Sequence, residues 1–554
     1  MNRAEFSRRS VLQTLLGGST ALSLPALAHA DEGRLSSSAP PSIVETVHGK
    51  LRGAWTRGVL GFKGIPYAGP VSGEGRFKPA PPAAGWAGVR EAINPGPPAM
   101  QPLGGTYGLN EPPYSEDCLV LNVWTPSVED GRKRPVIFYN HGGGFLTGSG
   151  ASADADGANM ARTFDVVVVA SNHRLGALGY LYLGELGGDE YAASGNPGVL
   201  DIVAALKWVQ QNIVAFGGDP DNVLVFGESG GGMKTSALCA MPSARGLFHK
   251  LGIMSGPMLR ATTKDDAALL TRAVLQSLDI APRDFRRLID IPVAQLLAAQ
   301  QKVHVGPQHL GPALGARSIG FGPVFDGQSL TQHPFEPAPA AWLKEVPLVI
   351  GLCREEARFF AMASKDTEVF TLTDTEMVTR VRRELGDFFA DELLPVMRQS
   401  RPNATPTDLY VALTGARWWQ QSITIAERKA AQGGAPVFMY RYDYESNVPI
   451  PGTNQALGAA HATDIPAYFD NGDATGLMGS RPDRAAMAQI VSGLWARFAR
   501  DGTPSAPGQP SWPTYDAHDR HTFAINIQSH VERDPWAAER KMLQAGLERA
   551  ESGP

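Results

Sequence analysis

Val223-Leu224-Val225-Phe226-Gly227-Glu228-Ser229-Gly230-Gly231 is the stretch that decides the fold. Four apolar residues, Val223 to Phe226, suit a buried strand, and Met233 to Ala240 suit a helix. Ser229 therefore falls on a strand-to-helix corner between Gly227 and Gly231. A serine pushed out on so sharp a bend needs neighbours without side chains, for the backbone angles and for close strand-helix packing. With 61 glycines in the chain, roughly 0.4 Gly-x-Ser-x-Gly matches arise by chance. The strand before and the helix after are what make Ser229 a candidate nucleophile rather than an inert turn serine.

Upstream, short strand-like pieces recur at Val44 to Val47, Leu51 to Trp55 and Val59 to Ile65, consistent with an antiparallel edge. Gly69 to Pro98 is rich in Gly and Pro and reads as a long ordered loop of the kind that shapes a site. Val120 to Trp124, Val136 to Asn140 and Val166 to Ser171 are almost continuously apolar, as strands covered on both faces are.

His141-Gly142-Gly143-Gly144-Phe145 follows directly on one of these strands. With 12 histidines, chance supplies only roughly 0.02 such His-Gly-Gly-Gly matches, so this signal is strong by itself. Consecutive glycines let backbone N–H groups reach a substrate oxygen, and fixed donors aimed at developing negative charge are what acyl transfer needs. Gly143 and Gly144, with the N–H of Gly230, are the candidate oxyanion donors.

At the N-terminus, Ser7-Arg8-Arg9-Ser10 precedes an uncharged apolar run from Val11 to Leu27, with small residues at Ala28-His29-Ala30. This reads as a twin-arginine signal peptide over residues 1–30, cleaved near Ala30, with a retained transmembrane helix as the weaker alternative. Residues 31–554 then form the mature chain, opening on a Ser- and Pro-rich lead-in to Ser42. A periplasmic or secreted protein without a membrane anchor is expected. The 3 cysteines, Cys118, Cys239 and Cys353, are an odd number without metal-like spacing, so a disulfide framework is not expected.

The balance of 50 basic against 55 acidic residues, net charge −5, contains no basic stripe for nucleic acid. No His-Glu-x-x-His and no phosphate-cradling glycine motif occurs, so neither a metal nor a cofactor is expected. The sequence carries no repeat, no linker run and no cue to oligomeric state.

A serine hydroxyl needs an imidazole to take its proton, and the imidazole needs a carboxylate to fix its tautomer. The chain order Ser, acid, His places the acid after Val346 to Leu352, the next core strand, at Cys353-Arg354-Glu355-Glu356. His461, His518, His521 and His530 then remain as candidate bases. His518 and His521 lie among Asp516, Asp519 and Arg520, which resembles a solvated turn.

Several further motifs occur in a fixed order: Phe62-Lys63-Gly64-Ile65-Pro66-Tyr67-Ala68, Arg76-Phe77, Glu116-Asp117-Cys118-Leu119, the glycine loop, Asn172-His173-Arg174-Leu175-Gly176, Gly195-Asn196-Pro197-Gly198, and Phe216-Gly217-Gly218-Asp219-Pro220 before Ser229. Together they resemble the type-B carboxylesterases, the cholinesterase-like members of the α/β-hydrolase fold, over nearly all of the mature chain. The resemblance implies an α/β architecture with a large, mostly parallel central sheet flanked by helices, and a helical lid region inserted around 260–320 and 365–432. It implies hydrolysis of small-molecule carboxylic esters through an acyl-enzyme. It selects His461, on Gly458-x-x-His461, as the base and Glu356 as the acid, with Ala357 where the family usually has glycine and Glu355 as the possible exchange. Glu228 would orient His461 or tune its charge, and Asp464 would be structural. Arg76 with Glu116, and Arg174 with Asp201, would be structural ion pairs.

Two departures matter. The upstream partner of Cys118 is missing from Pro98-Ala99-Met100-Gln101, so Cys118 is expected free and buried. Tyr107-Gly108-Leu109 stands where cholinesterases carry the choline-binding Trp, which argues for uncharged acyl or aryl esters. Trp418, Trp419, Phe359, Phe360, Phe145 and Phe321 could line an acyl or alcohol pocket, although aromatics at helical spacing are more often core. The same machinery could serve a carbamate, amide, lactone or thioester. A non-catalytic binding member of the fold would typically have lost the nucleophile that this chain keeps.

Overall fold

The computed structural model of the 554-residue chain describes residues 42–102, 113–303, 320–473 and 476–552. Residues 1–30, read above as a signal peptide, Tyr107-Gly108-Leu109 and residues 304–319 of the first insertion lie outside the described residues.

Strands β1 (Ile43–Thr46), β2 (Gly49–Arg52) and β5 (Val89–Glu91) make a small sheet of their own. The main sheet comprises β3 (Ala54–Thr56), β4 (Val59–Pro66), β6 (Val120–Thr125), β7 (Arg134–Asn140), β8 (Val167–Ser171), β9 (Gly218–Glu228), β10 (Lys250–Met254), β11 (Leu348–Cys353), β12 (Val437–Tyr442), β15 (His521–Ile525) and β16 (His530–Arg533). Its 11 strands run in the order β16-β15-β12-β11-β10-β9-β7-β8-β6-β4-β3. Pairing is parallel from β8 to β15 and antiparallel at both ends. A hairpin of β13 (Ser446–Pro449) and β14 (Ala456–Gly458) precedes His461.

Apolar runs without polar alternation produce this centre, because each strand buries both faces. In β9, Val223 and Val225 enter the core on one side of the sheet while Leu224 and Phe226 enter the core on the other. In β7, Val136 and Phe138 divide from Ile137 and Tyr139 in the same way. Successive side chains point to opposite faces, so one apolar run feeds two cores.

The structure corrects several boundaries. The expected strand Leu51 to Trp55 breaks at Gly53, where the chain leaves the small sheet for the main one; the Phe62 ring lies 2.7 Å from where a Cβ on Gly53 would stand. The helix after the elbow spans Gly230–Leu238, starting at glycines whose poor helix propensity hides it in the sequence. Strand β10 was not anticipated, because Lys250 and Gly252 interrupt its apolar run. Apart from the N-terminal run no long apolar segment is expected from the sequence, yet helix Pro197–Asn212 and the turn after it are long and apolar enough to cross a membrane by composition. Most of it is buried, and it carries Asp201, paired with Arg174 at 2.7 Å.

Both structural ion pairs form. Arg76 grips Glu116 through Nε and Nη2 at 2.6 Å, and its Nη1 donates to the carbonyls of Leu288, Ile289 and Ile291, tying the long loop to the first insertion. The insertions are helical where described: Lys264–Ser277 and Val293–Val303 in the first, Asp374–Leu385, Leu394–Ser400 and Pro406–Ala430 in the second. The second packs around its own apolar cluster, which Leu543 of the C-terminal helix joins.

Candidate active site

The site assembles at the C-terminal ends of the parallel strands. Ser229 follows β9, the glycine loop follows β7, Glu356 follows β11, and His461 sits on the long connection after β12. The chain leaves β9 towards β10 on one side and leaves the adjacent β7 towards β8 on the other. Open α/β sheets place their crevice at such a switch point.

Ser229 has φ 57° and ψ −125°, a conformation that a residue with a side chain adopts only under constraint. Its N–H donates to Met254 O at 2.9 Å and its carbonyl accepts from Met233 N at 3.1 Å, locking the corner between β10 and the first helical turn. Gly143 and Gly144 have φ of 82° and 62°. Gly144 passes so close to Gly230 that a Cβ on Gly230 would stand 2.2 Å from Gly144 O and 2.4 Å from Gly144 N. The three expected oxyanion donors thus share one corner of the site.

His461 Nδ1 lies 2.5 Å from Glu356 Oε2. The other carboxylate oxygen of Glu356 accepts from Ser255 Oγ at 2.6 Å and from Cys353 N at 2.7 Å. Glu355 takes a different part: its Oε2 accepts from Ala459 N at 2.9 Å, and its Oε1 accepts from Arg358 Nε at 3.1 Å. Of the two glutamates considered, the structure brings Glu356 to His461 and sends Glu355 to the loop that carries it.

The far ring nitrogen of His461, Nε2, stands 3.3 Å from Glu228 Oε1 and forms no hydrogen bond to Ser229 Oγ in this structure. Catalytic hydrogen bonds of this kind commonly close only when substrate is bound. Burial opposes a charged imidazole, yet the carboxylates of Glu228 and Glu356 outweigh it and lift His461 to about 9. Burial pushes the Glu228 carboxyl well above the ordinary range, His461 opposes this, and Asp464 and Glu356 add to it. Asp464 accepts from Tyr468 Oη at 2.5 Å, a packing role, and burial raises it to about 6.

A profile of the carboxylesterase family matches residues 40–543. The chain belongs to the carboxylesterase family. It is 34% identical over 507 residues to the para-nitrobenzyl esterase of Bacillus subtilis (strain 168), covering 90% of this chain and 98% of that protein. It is 34% identical over 478 residues to the phenmedipham hydrolase of Pseudarthrobacter oxydans, covering 84% and 90% of the two chains. The crystal structure of a Geobacillus stearothermophilus carboxylesterase superposes with a TM-score of 0.76 at 38% identity, covering 90% of this chain and 99% of that one. The protein has the α/β-hydrolase fold of these enzymes and is a carboxylic ester hydrolase acting on small-molecule esters.

Within this carboxylesterase, three of the candidate aromatics surround the histidine: ring centroids of Phe360, Trp418 and Phe359 lie 4.6, 5.6 and 5.7 Å from that of His461. Trp419 turns away to meet Trp536, and Phe145 packs edge-on against Tyr180. Phe321 is buried core. His518 and His530 are exposed and paired with Asp519 and Glu532, away from this constellation. Cys118 is free and buried, as are Cys239 and Cys353.

Two residues escaped the sequence reading. Ser255, which holds Glu356, directly follows β10, the strand that was not anticipated, so its position at a strand C-terminus next to β9 was hidden. Lys234 is fully buried in the apolar helix behind Ser229. A charge inside so apolar a segment was the signal for it.

Proposed function

We infer that this carboxylesterase works through a Ser229 acyl-enzyme and acts outside the cytoplasm. Ser229 Oγ attacks the ester carbonyl while His461 takes its proton, and Glu356 holds His461 and stabilises its imidazolium form. The N–H groups of Gly143, Gly144 and Gly230 receive the negative charge on the carbonyl oxygen. His461 then gives the proton to the departing alcohol and activates the water that releases the acid.

The observation that carries this reading is the bridge at His461, bound through Nδ1 to Glu356 with Nε2 directed to the Glu228 side of the elbow. Nε2 faces Glu228 at 3.3 Å, on the residue that directly precedes Ser229, which supports its part as the base for the Ser229 hydroxyl. The rings of Phe359, Phe360 and Trp418 around His461 support a substrate that brings an apolar acyl or aryl group to this site.

Hydrolysis of p-nitrophenyl esters from acetate to decanoate, by the mature chain and by Ser229→Ala, tests the chemistry. A burst that Ser229→Ala abolishes supports the acyl-enzyme, and turnover that survives in Ser229→Ala defeats it. The Arg8-Arg9 pair and the apolar run behind it support twin-arginine export. Replacing both arginines by lysine should trap the precursor inside the cell, and a mature chain starting elsewhere than near Asp31 would count against cleavage at Ala30.

A further inference from the structure

Behind the glycine loop lies a buried amine that the mechanism above does not use, and burial holds its pKa well below the ordinary lysine range. Lys234, one turn into the helix after Ser229, is fully buried. Its Nζ donates to His141 O at 2.9 Å and reaches Gly142 O at 3.5 Å. Among the described residues it forms no ion pair. Withdrawing a polar amine from water costs free energy, and an apolar side chain of the same length would fill the space at no such cost. Lys234 therefore does something that packing does not require.

The two carbonyls it meets decide what that is. His141 C=O shares its peptide unit with the N–H of Gly142, and Gly142 C=O shares its unit with the N–H of Gly143. A hydrogen bond accepted at a carbonyl polarises the whole amide and strengthens its N–H as a donor. The same bond also fixes the plane of a peptide in a run of three glycines, where little else restricts the backbone.

The surroundings complete the frame. His141 Nδ1 lies 2.9 Å from Gly142 O, and since a carbonyl only accepts, Nδ1 carries the proton there. The His141 ring stacks on His173 at a centroid distance of 4.4 Å and an interplanar angle of 13°. Burial, then the neighbouring Lys234, holds both imidazoles well below their ordinary range, so both are neutral struts. On the outer side, Thr147 N donates to Gly143 O at 3.0 Å. The loop is thus held through the carbonyls of three successive residues, His141, Gly142 and Gly143.

We propose that Lys234 is a positioning residue for the oxyanion hole, its amine fixing and polarising the His141–Gly142 and Gly142–Gly143 peptides so that the Gly143 N–H is aimed before substrate arrives. The inference rests on the reading of Ser229 and Gly143 given above. It places the effect in the transition state, because the carbonyl oxygen gains its charge only there.

The test compares wild type with Lys234→Met, which keeps the length and removes the donor, and with Lys234→Gln, which keeps a shorter donor. Three quantities are read: kcat, KM, and the affinity for an alkyl trifluoromethyl ketone. Ser229 Oγ adds to that carbonyl carbon, the C=O π pair becomes an oxyanion in the hole, and the Ser229 proton passes to His461. The matching alcohol, which forms no oxyanion, serves as the ground-state control. Lys234→Met should lower kcat and trifluoromethyl ketone affinity together by about 10- to 100-fold, with KM and alcohol affinity within about threefold and Lys234→Gln between the two. Unchanged kcat in a folded Lys234→Met would overturn the proposal, as would lost kcat with ketone affinity intact. Failure of both variants to fold would overturn it too, assigning Lys234 to stability alone. Ser229→Ala is measured alongside: a wild type that neither turns over esters nor binds the ketone defeats the underlying reading, whereas only the Lys234 variants bear on the loop.

Discussion

Glu355 and Glu356 are adjacent in the chain and divide the work of placing one histidine: Glu356 binds the His461 ring, and Glu355 binds the backbone N–H of Ala459 two residues before it. Substitution should separate the two. Glu356→Gln leaves the shape but destroys the anionic partner of Nδ1, and kcat should fall by about 10³- to 10⁴-fold. Glu355→Gln should cost about 1–3 kcal/mol of stability through the Arg358 and Ala459 contacts and change kcat by less than about tenfold. Steady-state kinetics with thermal melts would reverse the assignment if Glu355→Gln proved the more damaging to kcat.

The strained corner makes a second expectation. Ser229→Ala and Ser229→Gly should both lose activity by several orders of magnitude, yet differ in stability. Alanine keeps the strain of φ 57°, ψ −125°, whereas glycine tolerates it. Calorimetry should find Ser229→Gly the more stable by about 1 kcal/mol. Equal melting temperatures would mean that the corner stores no strain.

Glu228 should set the acid limb of the pH profile. Only a neutral His461 can take the Ser229 proton, and the Glu228 carboxylate helps hold the imidazole charged up to about 9. Glu228→Gln removes that negative charge, so the folded-state pKa of His461 falls and the neutral base persists at lower pH. The acid limb of kcat/KM should therefore move down in pH. A limb that stays in place, or moves up, would remove Glu228 from the control of His461.

Arg174 and Asp201, at 3% and 0% side-chain exposure, are a buried pair remote in role from the chemistry. Arg174→Met leaves Asp201 uncompensated and should destabilise by about 3–5 kcal/mol. The double variant Arg174→Met/Asp201→Asn should recover part of this. Activity per folded molecule, titrated with a fluorophosphonate, should stay close to wild type; a loss of turnover in fully folded protein would give the pair a part in catalysis.

Much of this site was legible because the chemistry is written in contiguous motifs. Ser229 with its flanking glycines, and Gly143-Gly144 after β7, are local patterns whose geometry follows from what glycine permits. His461 and Glu356 needed the family resemblance, since position alone left four histidines and two glutamates. What escaped depends on contacts across the chain. Ser255 meets Glu356 from 101 residues away, and Lys234 meets His141 from 93 residues away. At Gly53 the Phe62 ring leaves no room for a side chain, and β10 forms by burial between two parallel neighbours that override its lysine and glycine.

The three cysteines have a consequence for where such a chain can mature. Cys118, Cys239 and Cys353 are all buried and unpaired, and burial raises each thiol far from the reactive range. No oxidant has to act before the fold is finished, and no reductant can undo it. A polypeptide completed in a thiol-reducing compartment and one completed in an oxidising one are the same object, so melting curves with and without dithiothreitol should superimpose. The enzyme's integrity is independent of the redox potential of the compartment that holds it.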